Sequence, residues 1–117
     1  VKGDYAYLAC SAAGNDLYIY DVSNPSNPVS VGHVNDAGDA RGVYVKGDYA
    51  YIANRPNGLY IYNISNPSSP VSVGHVDDGD YALNVYVSGD YAYLANWNDR
   101  LRVYDVSNPS TPVSAVH

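Results

Sequence analysis

The stretch RGVYVKGDYAYIANRPNGLYIYNISNPSSPVSVGHV, Arg41 to Val76, decides the fold. Arg41 to Lys46 is an apolar run, and Gly47-Asp48 supplies the positive φ that a tight hairpin requires. Tyr49 to Ala53 reads as a second strand, followed by a loop from Asn54 to Gly58. Leu59 to Ile64 is a third strand, Ser65 to Pro70 turns the chain, and Val71 to Val76 is a fourth. Pro67 and Pro70 both fall outside the strand cores, where a missing N–H costs no ladder bond. The second and third strands are apolar or aromatic on both faces. A sheet covered on one side would alternate, so this one is predicted to lie between two neighbours.

Neighbours are present in the chain itself. GDYAY begins at Gly3, Gly47 and Gly89, and SNP begins at Ser23, Ser65 and Ser107. The only length change sits where ACSAAGND (Ala9 to Asp16) stands against ANRPNG (Ala53 to Gly58) and ANWNDR (Ala95 to Arg100). A length change confined to one spot marks a surface loop between regular elements. Units of about 42 residues, each of four short antiparallel strands and stacked face to face, describe the blades of a β-propeller. A single unit could not bury both of its faces alone, which is the physical reason to repeat.

Composition agrees with strands and excludes several functions. The 117 residues include 14 Tyr but no Phe, Met, Glu or Gln, and all 12 acids are Asp. Tyr, Val and Ile suit pleated sheets, whereas Asn, Asp, Gly, Pro and Ser suit turns. A net charge of -6, with six scattered Lys and Arg, argues against a nucleic-acid face, which needs a basic stripe. No apolar run approaches the roughly 20 residues of a membrane span, so no membrane insertion is expected. The single cysteine, Cys10, reads as a small apolar filler.

LYIYDVSNP (Leu17 to Pro25), LYIYNISNP (Leu59 to Pro67) and LRVYDVSNP (Leu101 to Pro109) each follow GDYAYLA or GDYAYIA. These paired motifs resemble the LVIVD repeat of bacterial and archaeal secreted or cell-surface proteins, which are predicted propellers. The resemblance covers essentially the whole chain. It implies a propeller-type fold and an extracellular or cell-surface setting, and it brings no catalytic signature.

The phase of the repeat predicts three blades, at residues 1–35, 36–76 and 77–117, the first lacking its inner strand. Val1 aligns with Val45 and Val87, at the end of an inner strand; a start at Val1 with no signal peptide is expected of a processed product or a segment of something longer. Closed propellers typically take about four to eight blades, so this chain is expected to be an incomplete ring on its own. Its expected partners are further blades or copies of itself, as a homo-oligomer or polymer, because open blade faces and sheet edges invite association.

A binding role would fall on the variable face, made by the second-to-third strand loops and the connectors between blades. Trp97, between Asn96 and Asn98, is the only Trp; an exposed indole there could stack on a sugar or anchor a partner. Arg55 and Arg100 share these loops and complete the candidate ligand-binding set. Asp36 and Asp39, then Asp77, Asp78 and Asp80, cluster in the connectors. Carboxylates with glycine are hard oxygen ligands of the kind Ca²⁺ uses, but the EF-hand spacing and its terminal Glu are missing. The leading reading is solvated turn aspartates and no cofactor, with a Ca²⁺ site as the alternative. His33, His75 and His117 recur on outer strands that fan apart, which predicts a structural role. Asp21, Asn63 and Asp105 are predicted to accept backbone N–H bonds in the turns that follow them. Asn63-Ile64-Ser65 matches a glycosylation sequon but sits at a strand end. The function this supports is a non-enzymatic structural or interaction module, with a carbohydrate-binding or Ca²⁺-dependent propeller as the alternative.

Overall fold

The computed structural model describes residues 3–10, 17–34, 39–55, 58–76, 82–97 and 100–116, with residues 39, 55, 100 and 116 described by their backbone alone. The described elements are all strands: β1 (Tyr5–Ala9), β2 (Leu17–Asp21) and β3 (Val29–Val34); β4 (Asp39–Lys46), β5 (Tyr49–Arg55), β6 (Gly58–Asn63) and β7 (Val71–Val76); β8 (Ala82–Ser88), β9 (Tyr91–Asn96), β10 (Arg100–Asp105) and β11 (Val113–Val116). They form three antiparallel meanders, β1-β2-β3, β4-β5-β6-β7 and β8-β9-β10-β11. These are three propeller-type blades, and among the described residues no strand lies on the inner side of β1.

The turns are built from the residues their geometry demands. Gly3, Gly47 and Gly89 all have φ near +60°, at 58, 60 and 58 degrees, a conformation that costs glycine little and other residues much. At the opposite end of blade two the ladder runs further than the apolar pattern alone predicts. Asn54 pairs with Gly58, and Asp39 with Arg55. Gly58 at φ 96 degrees lets the chain reverse within a shorter loop. Each inner strand carries a register shift near its start, between Ala40 and Gly42 in β4 and between Ala82 and Asn84 in β8. Third strands are also tied back to the first turn of their own blade: the amides of Val22, Ile64 and Val106 donate to the carbonyls of Asp4, Asp48 and Asp90, each at 2.7 Å.

Blade two is covered on both sides. Between blades one and two, Leu17 and Ile19 pack with Ala40, Ala50, Ile52, Tyr62 and Ile64. Between blades two and three, Tyr51, Ala53, Leu59 and Ile61 pack with Val85, Val87, Leu94, Tyr104 and Val106. The two joints use equivalent positions. In each, the Leu and Ile of one third strand press on an alanine, an Ile or Leu, a tyrosine and a second branched aliphatic of the next blade. Full burial of each large aliphatic side chain contributes about 1.5–3 kcal/mol, so these two layers hold the row together.

Polar contacts reinforce the second joint. The Lys46 ammonium donates to the Gly89 carbonyl at 2.5 Å. Tyr44 and Tyr86, on adjacent inner strands, meet edge to face with centroids 4.8 Å apart, a favoured aromatic geometry.

Candidate functional site

Two surfaces compete for the functional role, and the fold positions both. The first is the variable end of the blades. The start of β4, the end of β5, the start of β6, the end of β9 and the start of β10 all come to this end, because alternate strands of a meander run in opposite directions. Trp97 lies in the turn after β9 and is 68 % exposed. Asn96, beside it in sequence, is buried at 5 % exposure, so its amide belongs to the interior rather than to the surface around the indole. Arg100 opens β10 directly across from Asn96. Arg55 closes β5 across from Asp39. Asn98 and the connector carboxylates Asp36, Asp77, Asp78 and Asp80 lie outside the described residues. Among the described residues, no three His, Cys, Asp or Glu side chains gather as a metal site would require.

Beneath this end sits a buried amide that the loop pattern does not single out. Asn54 is fully buried, and neither of its amide atoms has a hydrogen-bond partner. Asn96 holds the same position in blade three, and Cys10, half-buried, holds it in blade one. Leaving a buried amide atom unsatisfied costs about 1–3 kcal/mol. The sequence signal was available: an asparagine recurs after YAYIA and YAYLA although the loops beyond it differ.

The opposite end of the blades is turn chemistry repeated three times. The side-chain Oδ1 of Asp21, Asn63 and Asp105 accepts from the amides of Ser23, Ser65 and Ser107, each at 2.9 Å. Asn24, Asn66 and Asn108 accept from the hydroxyls of Ser26, Ser68 and Ser110, each at 2.8 Å. The Ser23 and Ser107 amide bonds, aided by side-chain bonds from the same serines, hold the Asp21 and Asp105 carboxyls below the usual carboxylate range. His33 and His75 stand on exposed outer strands across from Tyr18 and Tyr60, with ring centroids 5.7 and 5.2 Å apart. Cross-strand ring pairing of this kind stabilises a sheet and gives His33 and His75 a structural role; His117 lies outside the described residues.

The second surface is the pair of open blade faces. On the outer face of blade three, Tyr91, Tyr93 and Leu101 are exposed, Leu101 at 50 % and Tyr93 at 37 %. Their counterparts in blade two, Leu59 and Tyr51, are 0 % and 4 % exposed; burial pushes the Tyr51 phenol above its ordinary pKa, with Tyr49 adding to the shift. On the outer face of blade one, Ala6, Leu8, Tyr20, Val22 and Pro28 line an apolar hollow of about 280 Å³. Leu8 there is 49 % exposed, while Ile52, its counterpart in blade two, is fully buried. The row therefore ends in two unlike halves of one joint, and it makes that joint twice inside.

No curated protein matches the chain. The model of the LVIVD repeat matches it three times, at residues 1–36, 37–78 and 79–116. Each match spans one blade, and together they account for nearly every residue, so the chain belongs to the LVIVD repeat family.

Proposed function

We propose that the protein is a non-enzymatic interaction module of a secreted or cell-surface protein, working by association of its open blade faces with further blades or copies of itself. One observation carries this reading. Aliphatic positions that are fully buried at both internal joints, Leu17 and Leu59 on one side and Ile52 and Leu94 on the other, stand half exposed as Leu101 and Leu8 on the two outward faces. Contiguous exposed apolar surface of this kind marks interaction sites on soluble proteins. Three blades are also fewer than the roughly four to eight of closed propellers, so added blades would complete an architecture the chain begins. No cofactor enters this reading.

Sedimentation velocity over a wide concentration range tests the proposal. Reversible, concentration-dependent association is expected, and a strict monomer at every concentration would rule it out.

A second reading follows from Trp97, whose exposure on the variable end suits stacking on a sugar ring. In that reading the loops bind glycans, with or without Ca²⁺ held by the connector aspartates. A glycan array probed with and without EDTA, showing no binding in either condition, would remove it.

A further inference from the structure

The two motifs that mark the repeat meet across each internal joint. Between blades two and three, Asp48, Tyr49 and Tyr51 of one blade and Asp90, Ser107 and Pro109 of the next line a cleft of about 410 Å³. Between blades one and two, Asp4, Tyr5 and Tyr7 meet Asp48, Ser65 and Pro67 around a cleft of about 240 Å³. The same six positions build both clefts, and both lie between blades that the chain itself supplies. Their volumes fall around the lower end of the roughly 300–1,000 Å³ typical of small-molecule sites.

The walls of these clefts are fixed. The amides of Ile64 and Val106 donate to the carbonyls of Asp48 and Asp90, each at 2.7 Å, which pins the third strand to the Gly-Asp turn. A Cβ at Gly32 would meet the Pro67 carbonyl oxygen, and one at Gly74 the Pro109 carbonyl oxygen, so each proline turn is seated on the backbone of the preceding blade. Walls held in this way cost a ligand little ordering. The contents are mixed in character. Asp4, Asp48, Asp90, Ser65 and Ser107 are exposed, while Tyr5 and Tyr49 are half-buried. Burial, with the neighbouring Tyr5, raises the Tyr7 phenol above its ordinary pKa, and burial with Tyr49 does the same at Tyr51. Each cleft thus joins an aromatic pair to carboxylates and a hydroxyl.

We propose that each cleft binds a neutral pyranose ring, from a free sugar or a glycan chain, against its tyrosine pair, with the flanking aspartates accepting its hydroxyls. A pyranose has an apolar C–H face for an aromatic surface and a rim of hydroxyls for convergent polar groups. The ring is neutral because two carboxylates flank each cleft and the chain carries a net charge of -6, which repels an acidic sugar. Lys46, which lines the second cleft and donates to the Gly89 carbonyl, sets that cleft against a cationic ligand. The inference does not rest on association of the blade faces, and it places sugar binding at the end of the blades opposite Trp97.

Titration of the full chain with methyl hexopyranosides, and with neutral oligosaccharides of the same sugars, tests this by amide NMR. Shift changes are expected at Gly47, Asp48, Gly89 and Ser107 and at Gly3, Asp4 and Ser65, with two rings bound per chain. Asp48 borders both clefts, whereas Asp90 borders the second and Asp4 the first. Asp48→Asn should therefore weaken both sites about tenfold through loss of charge-assisted bonds. Asp90→Asn and Asp4→Asn should each weaken one site and leave the other unchanged. Asparagine suits the same turn, so thermal midpoints close to the parent's are expected, and they separate lost binding from lost fold. An oligosaccharide that binds more tightly than its single ring would support the site with a glycan chain as the source; equal affinity would support it with a free sugar. The proposal is overturned if no sugar shifts these amides, if Asp48→Asn leaves binding unchanged, or if a methyl hexuronate binds as tightly as the neutral rings. Shifts confined to the surroundings of Trp97 would also overturn it and leave the variable-end reading standing. None of these outcomes bears on the association reading, which sedimentation decides.

Discussion

Blades two and three carry nearly the same residues, yet the same side chains lead different lives. Leu59 and Leu101 occupy equivalent positions on third strands; the first is fully buried and the second is 50 % exposed. Tyr51 and Tyr93 differ in the same sense. What separates them is only whether another blade lies beyond. In a stacked repeat, burial is a property of position in the row rather than of residue type, and terminal units are where stacking surfaces become either interfaces or caps. Gly74 lies against the Pro109 turn of blade three, and the same register position in β11 is held by Val116.

The comparison can be broken most forcefully at Gly74, where a Cβ would meet the Pro109 carbonyl oxygen of blade three. Gly74→Ala should force the Pro109 turn outward and destabilise the fold by about 2–3 kcal/mol, in the range of overpacked sites. Thermal unfolding would read this as a large drop in midpoint, and an unchanged midpoint would mean that the joint is looser than its geometry. The leucine pair gives a like-for-like contrast. Leu59→Ala should cost about 2–5 kcal/mol through a core cavity, whereas Leu101→Ala in dilute, monomeric protein should stay within about 0.5 kcal/mol, as surface changes do. Equal losses measured by denaturant titration would show that blade three is covered in solution.

Smaller effects are expected at the polar positions. Asn54→Leu replaces an amide with no hydrogen-bond partner by an apolar side chain of similar volume, and should be neutral or stabilising by about 1 kcal/mol. A strongly destabilised variant would show that the amide is satisfied in solution. The smallest effect concerns acid. Asp21 and Asp105 have folded-state pKa values below their unfolded ones. Their contribution is therefore present above the unfolded carboxylate value of about 3.9 and is lost as pH falls through the lowered folded value. Asn63 makes the same 2.9 Å bond in blade two without a charge. The double variant Asp21→Asn, Asp105→Asn should keep neutral-pH stability and show a shallower loss between pH 5 and pH 2. An acid profile identical to the parent's would assign that loss to other carboxylates.

Much of the architecture is legible in the sequence. The GDYAY and SNP repeats set the blade period, and Gly47-Asp48 marked a hairpin that the positive φ of Gly47 bears out. The aspartate or asparagine that ends each third strand marks a turn acceptor, and Asp21, Asn63 and Asp105 accept from the amides of Ser23, Ser65 and Ser107. These features are local: a turn type or an Asx bond needs only neighbours in sequence. The candidate loop residues were less legible. Asn96 looked like a partner of Trp97 on the surface because adjacency in sequence suggests adjacency in role, but successive residues of a strand point to opposite faces, and Asn96 is turned inward.

By itself, then, the sequence determined that the chain is a row of near-identical four-stranded units with both faces apolar, because strand period, turn residues and repeat spacing are all written within about 42 residues. Only the tertiary structure decided which of those equivalent surfaces are covered, that Gly32 and Gly74 lie against backbone of the next blade, and that Val116 stands at the third such position. These depend on what lies across a joint, and a contact between blades brings together residues far apart in the chain whose approach no local pattern encodes.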